Sequence, residues 1–111
     1  MDTKKIIAKT FEVSEEFTKR GAVYDKKERV LDLVEEVGEL TQAILIVEKV
    51  KHTRDPKKQK TIEDIKDALC DCLFALIHLS KEYDADLFNE YMAMLERLQR
   101  RLESGEFGNK A

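Results

Sequence analysis

A chain with almost nowhere to turn must build long elements. The 111 residues contain a single proline, Pro56, and four glycines, so breaks are few and the ordered segments between them are extended. Those segments carry apolar residues at three- and four-residue spacing, and none shows the strict alternation of a half-buried strand. Apolar residues make up 42% of the chain and charged residues 39%, a balance that suits helices with one dry face and one wet face. The length fits one domain able to bury a core without staples.

Four helices are predicted. The first runs from about Lys4 to Arg20 and stops at Gly21. Asp25 and Glu28 have capping-box spacing and open the second, which is expected to reach about Lys51. The charged stretch HTRDPKKQK then breaks the pattern, because Pro56 cannot continue a helix. Thr61 caps the third, to about Tyr83. Asp84 or Asp86 caps the fourth, from about Leu87 to Glu103. With short connections outside residues 52–60, the economical arrangement is an all-α, antiparallel four-helix bundle over residues 1–104, followed by a frayed tail at 105–111.

Bulk properties exclude several functions. Net charge is −3, with acids and bases interspersed, so no basic stripe of a nucleic-acid binder is present. No apolar run reaches membrane-spanning length, and MDTKKIIAKT lacks a signal-peptide core. A soluble cytoplasmic protein without membrane or nucleic-acid partners is expected. Cys70 and Cys72 point about 200° apart on a helix. They cannot bridge each other or share one metal ion, and they read as small core residues in a reducing compartment.

The third helix holds the main anomaly. DIKDALCDCLFALIH is apolar around most of its circumference, the mark of a central helix covered on several sides and often by a second subunit. Yet Asp64, Asp67, Asp71 and His78 fall within a stripe about 60° wide. The second helix repeats the pattern in VLDLVEEVGELTQAILIV: Glu36 lies inside the apolar arc, Glu39 at its edge, and Glu35 further out. Gly38 is a poor mid-helix residue, tolerable where another backbone approaches.

Carboxylates in an apolar setting are costly unless paired or metal-bound, and neighbouring acids raise each other's pKa. A hard divalent cation resolves both problems, and oxygen-only ligands suit Mg²⁺ or Mn²⁺. Glu36 with Glu39, and Asp64 with Asp67, each form a one-turn pair of carboxylates. Facing each other, they predict a four-carboxylate metal site. Plainer roles compete: Asp64 completes a capping box with Thr61, lysine or arginine partners satisfy the other acids, and His78 is a hydrogen-bonded core histidine. A di-iron site is disfavoured, because neither histidine has a glutamate three residues before it.

These residues resemble the all-α nucleoside triphosphate pyrophosphohydrolases, the MazG-like superfamily, over roughly residues 27–90. The family pattern is E-E-x-x-E on one helix and E-x-x-D on the next. LVEEVGEL matches the first half through Glu35, Glu36 and Glu39. DIKDALCDCLFALIHLSKEYDADL resembles the second, with Asp64 where glutamate is usual and with a shifted register, Asp67 and Asp71, left open. Met94 and Leu98 stand where many members carry lysine and asparagine.

The resemblance implies Mg²⁺-dependent hydrolysis of a nucleoside triphosphate, with a deoxynucleotide expected, to monophosphate and pyrophosphate. Glu36, Glu39, Asp64 and Asp67 would hold the metal, and Glu35 or Asp71 would take the proton from water. Phosphates would be met by Lys49, Lys51, Lys60, Arg97 and Arg101, although such a basic run is more often just a solvated loop. Phe11, Phe17 or Tyr24 would be available to stack on the base, although aromatics at these spacings are more often core. The family assembles as homodimers or homotetramers. Two other readings stand beside this one: phosphoribosyl-ATP pyrophosphohydrolase, and a non-catalytic helical assembly module with acid-lined ion sites.

Overall fold

Every helix starts on a side-chain cap. In the computed structural model, which describes residues 2–108, the elements are α1 (Thr3–Lys19), α2 (Lys26–Val47), a 3₁₀ turn (Pro56–Lys58), α3 (Ile62–Glu82) and α4 (Leu87–Glu103). No strand occurs among the described residues. Asp2 accepts from the Lys4 backbone N–H at 2.9 Å. Asp25 and Glu28 form the expected capping box, as do Thr61 and Asp64. Asp86, rather than Asp84, caps α4 and accepts from the Asn89 backbone N–H at 3.3 Å. Each cap satisfies donors that the first helical turn cannot.

The four C-termini share one device. The residue just past each helix cap is left-handed: Gly21, Lys49, Asp84 and Gly105, at φ of 98°, 59°, 50° and 78°. Paired backbone bonds of the Schellman type close each end, as in Val50 N to Leu45 O at 2.9 Å and Lys49 N to Ile46 O at 3.1 Å. This device corrects the reading of α2, which ends at Val47 rather than near Lys51. Lys49 takes the left-handed position that glycine usually fills, so no glycine marks the stop in the sequence.

α2 and α3 make the principal helix contact, α1 packs more lightly on α3, and α4 touches its neighbours sparsely. The buried apolar core is small: Ala43, Ile46, Ala68, Ala75 and Ile77. On α2 the stripe Asp32, Glu36, Ala43 and Ile46 follows helical spacing, and on α3 the stripe Ala68, Asp71, Ala75 and His78 does the same. Alanines on these stripes keep the seam between the two helices thin. The α1 connection to α3 centres on His78, 5% exposed. Its Nδ1 lies 2.9 Å from the Phe74 carbonyl oxygen and its Nε2 lies 2.8 Å from Ser14 Oγ. A carbonyl only accepts, so Nδ1 carries the proton and Nε2 accepts from the serine hydroxyl. Phe11 and Phe74 flank the ring at centroid distances of 5.0 and 4.4 Å.

Much apolar surface stays uncovered in one copy. Val30, Val34, Val37 and Ile44 form an exposed stripe on α2, Leu69, Leu73 and Leu76 on α3, and Tyr91, Leu95, Leu98 and Leu102 on α4. The radius of gyration is 18.0 Å, against about 13 Å for a compact chain of this length. At the C-terminal end, Glu106 folds back onto Arg101 with contacts of 2.8 and 2.7 Å, and the same guanidinium lies over the Phe107 ring. The last three positions of the expected frayed tail lie outside the described residues. No helix among the described residues is long and apolar enough to cross a membrane.

Candidate metal centre

Glu36 projects from the middle of α2 toward α3 because its neighbours at helical spacing, Leu33, Leu40 and Ala43, face inward with it. One oxygen each from Glu36, Glu39 and Asp71 lies within 4.8 Å of the others. Two come from one helix, one turn apart, and the third crosses from α3. Glu36 Oε2 is buried and has no hydrogen-bond partner, a position that is unfavourable for an anionic oxygen. Burial pushes the Glu36 carboxyl up to about 6, helped by the charges of Glu39, Asp71, Asp32 and Glu35 in that order. Burial also raises the Cys72 thiol, followed by Glu36, Asp71 and Glu39. Three acids thus converge on one point with no cation of the chain paired to Glu36 among the described ion pairs. A hard divalent ion fits that donor set.

The remaining acids are placed differently. Asp64 Oδ2 accepts from the Thr61 backbone N–H at 2.7 Å and lies 3.1 Å from Thr61 Oγ1. These bonds hold its carboxyl below the ordinary range, with Lys60 contributing. Asp67 is exposed and stands one turn from Asp71, outside the three-oxygen cluster. Glu35 is exposed and lines a surface hollow with Tyr24, Glu28 and Asp32. If Asp71 is the aspartate of the E-x-x-D pattern, buried Ala68 occupies its glutamate position.

Glu36 and Asp71 open onto a cavity of about 250 Å³, whose walls include Ser14, Phe17, Tyr24 and Arg29. A neighbouring cavity of about 450 Å³ shares Ser14, Tyr24 and Arg29 and reaches His78 and Lys81. Phe17 and Tyr24, two of the aromatics expected near a base, therefore flank the acids. The expected phosphate cations do not line the Glu36 cavity. Lys49 forms the end of α2, Lys51 Nζ donates to Gln42 Oε1 at 2.8 Å, Lys60 lies beside Asp64, Arg101 pairs with Glu106, and Arg97 is exposed on α4.

Arg29 and Asp32, which do line the cavity, escaped the sequence reading. A signal for both was present. Arg29 is seven residues before Glu36 and Asp32 four before it, which sets them about 20° and 40° from Glu36 around the helix.

Comparison of the chain with family models, with curated proteins and with solved structures returns no match.

Proposed function

We propose that the chain is a Mg²⁺-dependent hydrolase that cleaves a nucleoside triphosphate to monophosphate and pyrophosphate, in the manner of the MazG-like enzymes its motifs resemble. The observation that carries this reading is Glu36 Oε2, a buried and unpartnered carboxylate oxygen with two further acids converging on it. Glu36, Glu39 and Asp71 would hold the metal. Bound there, Mg²⁺, or Mn²⁺ in its place, would neutralise the polyphosphate and make water a better nucleophile. Asp71 then belongs to the ligand set, and Asp32, which shares the cavity, becomes a better-placed proton acceptor than exposed Glu35. Phe17 and Tyr24 offer ring faces to a base.

The charge pairings along the two central helices favour an antiparallel bundle. Early α2 residues Arg29 and Asp32 act on His78 late in α3, while Glu36 and Glu39 act on Cys72, and Asp71 acts on Glu36, earlier in α3. The exposed apolar stripes of α2, α3 and α4, with the large radius of gyration, favour a homodimer or homotetramer that covers them.

The test is pyrophosphate release from a panel of ribo- and deoxynucleoside triphosphates with Mg²⁺ or Mn²⁺. Release that stops with EDTA is expected. Absence of release from every nucleotide, with either metal, would leave the assembly module with ion sites as the better reading.

A further inference from the structure

Arg29 is a half-buried cation without a partner anion. Its guanidinium lies 4.9 Å from the centre of the Tyr24 ring. It makes no ion pair with any described residue. The guanidinium carbon sits over the Tyr24 ring face, which attracts the cation. The fork offers five N–H donors. A group this well supplied with donors, set partly out of water, calls for anionic oxygens that the ion pairs among the described residues do not provide.

The cavity supplies the context. Arg29 lines the same hollow as Glu36 and Asp71, yet pairs with neither of them. Positive and negative groups that share a cavity and stay apart suit a ligand with two kinds of handle. A polyphosphate is such a ligand: some of its oxygens bridge to a divalent cation held by carboxylates, and others remain free for a guanidinium. Among the described residues no other lysine or arginine lines this hollow.

The geometry points to Arg29 as the residue that grips the phosphate chain of the substrate, its guanidinium over the Tyr24 ring and in the same cavity as Glu36 and Asp71, the acids that would carry the metal. The identity of the substrate rests on the hydrolase reading above; the grip itself requires only a polyphosphate. Arg29 would bind non-bridging oxygens directly and would offset the charge that builds on them as the bond breaks.

Calorimetric titration with inorganic tripolyphosphate in Mg²⁺ buffer tests the grip without turnover. Wild type should bind, Arg29→Gln should lose at least about tenfold in affinity, and Arg29→Lys should fall between, since it keeps the charge and loses the fork. In turnover, Arg29→Gln should lower kcat/KM about a hundredfold, on the scale of removing one transition-state donor. Thermal melts monitor folding, and Arg29→Lys carries the comparison if the glutamine variant unfolds. Failure of wild type to bind tripolyphosphate, or equal binding by wild type and the variants, overturns the inference. Binding through Arg29 without pyrophosphate release from any nucleotide keeps the grip and retires the hydrolase. Turnover unchanged in Arg29→Gln retires the grip and keeps the hydrolase.

Discussion

Replacing Glu36 by glutamine should stabilise the protein in metal-free buffer and abolish its response to Mg²⁺. The carboxyl is pushed from 4.5 in the unfolded chain to about 6 in the folded one. The folded state therefore favours the protonated form. Stability linked to this group is fully present below pH 4.5, is lost as pH rises through about 6, and is absent at pH 7.5. A 1.5-unit displacement corresponds to about 2 kcal/mol. Glu36 is only half-buried, and solvent screening reduces that to about 1 kcal/mol. Glutamine keeps the shape and omits the charge.

In EDTA at pH 7.5, Glu36→Gln should melt about 4–8 °C above wild type, the usual consequence of 1 kcal/mol in a domain of roughly this size. The gap should close by pH 4.5. Adding Mg²⁺ should raise the wild-type melting temperature with concentration, as any ligand of the native state does, and should leave the variant unmoved. Melts followed by circular dichroism across pH 4.5–8, with and without metal, measure all three effects. A variant less stable than wild type at pH 7.5 in EDTA, or a gap independent of pH, would refute the claim that Glu36 is an uncompensated acid.

Three further outcomes follow from named features. Burial holds the His78 imidazole below its ordinary 6.5, with Arg29 and Lys81 contributing and Phe74 and Asp32 opposing; its neutral form is favoured in the fold, so its contribution is full above pH 6.5 and is lost as pH falls below it, and the stability of His78→Gln should show a weaker fall than wild type over that window in melts at stepped pH. Lys49→Gly and Asp84→Gly should each stabilise by about 0.5–1 kcal/mol in urea unfolding, because glycine removes the strain of a left-handed side-chain residue at a larger unfolded-state entropy. Asp64→Ala should lower the melting temperature by opening the Thr61 capping box and should leave Mg²⁺ affinity intact in calorimetry; a large loss of affinity would return Asp64 to the ligand set.

The starts of the helices were legible because caps are local. Asp25 with Glu28 and Thr61 with Asp64 are four-residue patterns that depend on nothing distant. The end of α2 was hidden because Lys49 adopts a conformation that its side chain disfavours, and tertiary context decides that. Glu36 and Glu39 could be paired from spacing alone, since both ride on one helix. Their partner on α3 could not be chosen among Asp64, Asp67 and Asp71 by spacing, because the choice depends on how far one helix slides along the other. The capping motif itself weighed against Asp64, whose oxygen is already engaged by Thr61. Basic residues are dense in the loop before α3, whereas the cation in the cavity is solitary and is marked in the sequence by its angle relative to Glu36.

Ala43, Ala68 and Ala75 are buried in the core that α2 and α3 share. A methyl at each position sets how far apart two rods can stand, and so sets the gap that the Glu36 and Asp71 side chains must span. Swelling any of them to valine or leucine would wedge the rods apart and, if the acids hold a metal as proposed, would change the ionic radius that they best accommodate. Selectivity between small and large divalent ions would then be written in packing, at positions a survey of the ligands alone would pass over.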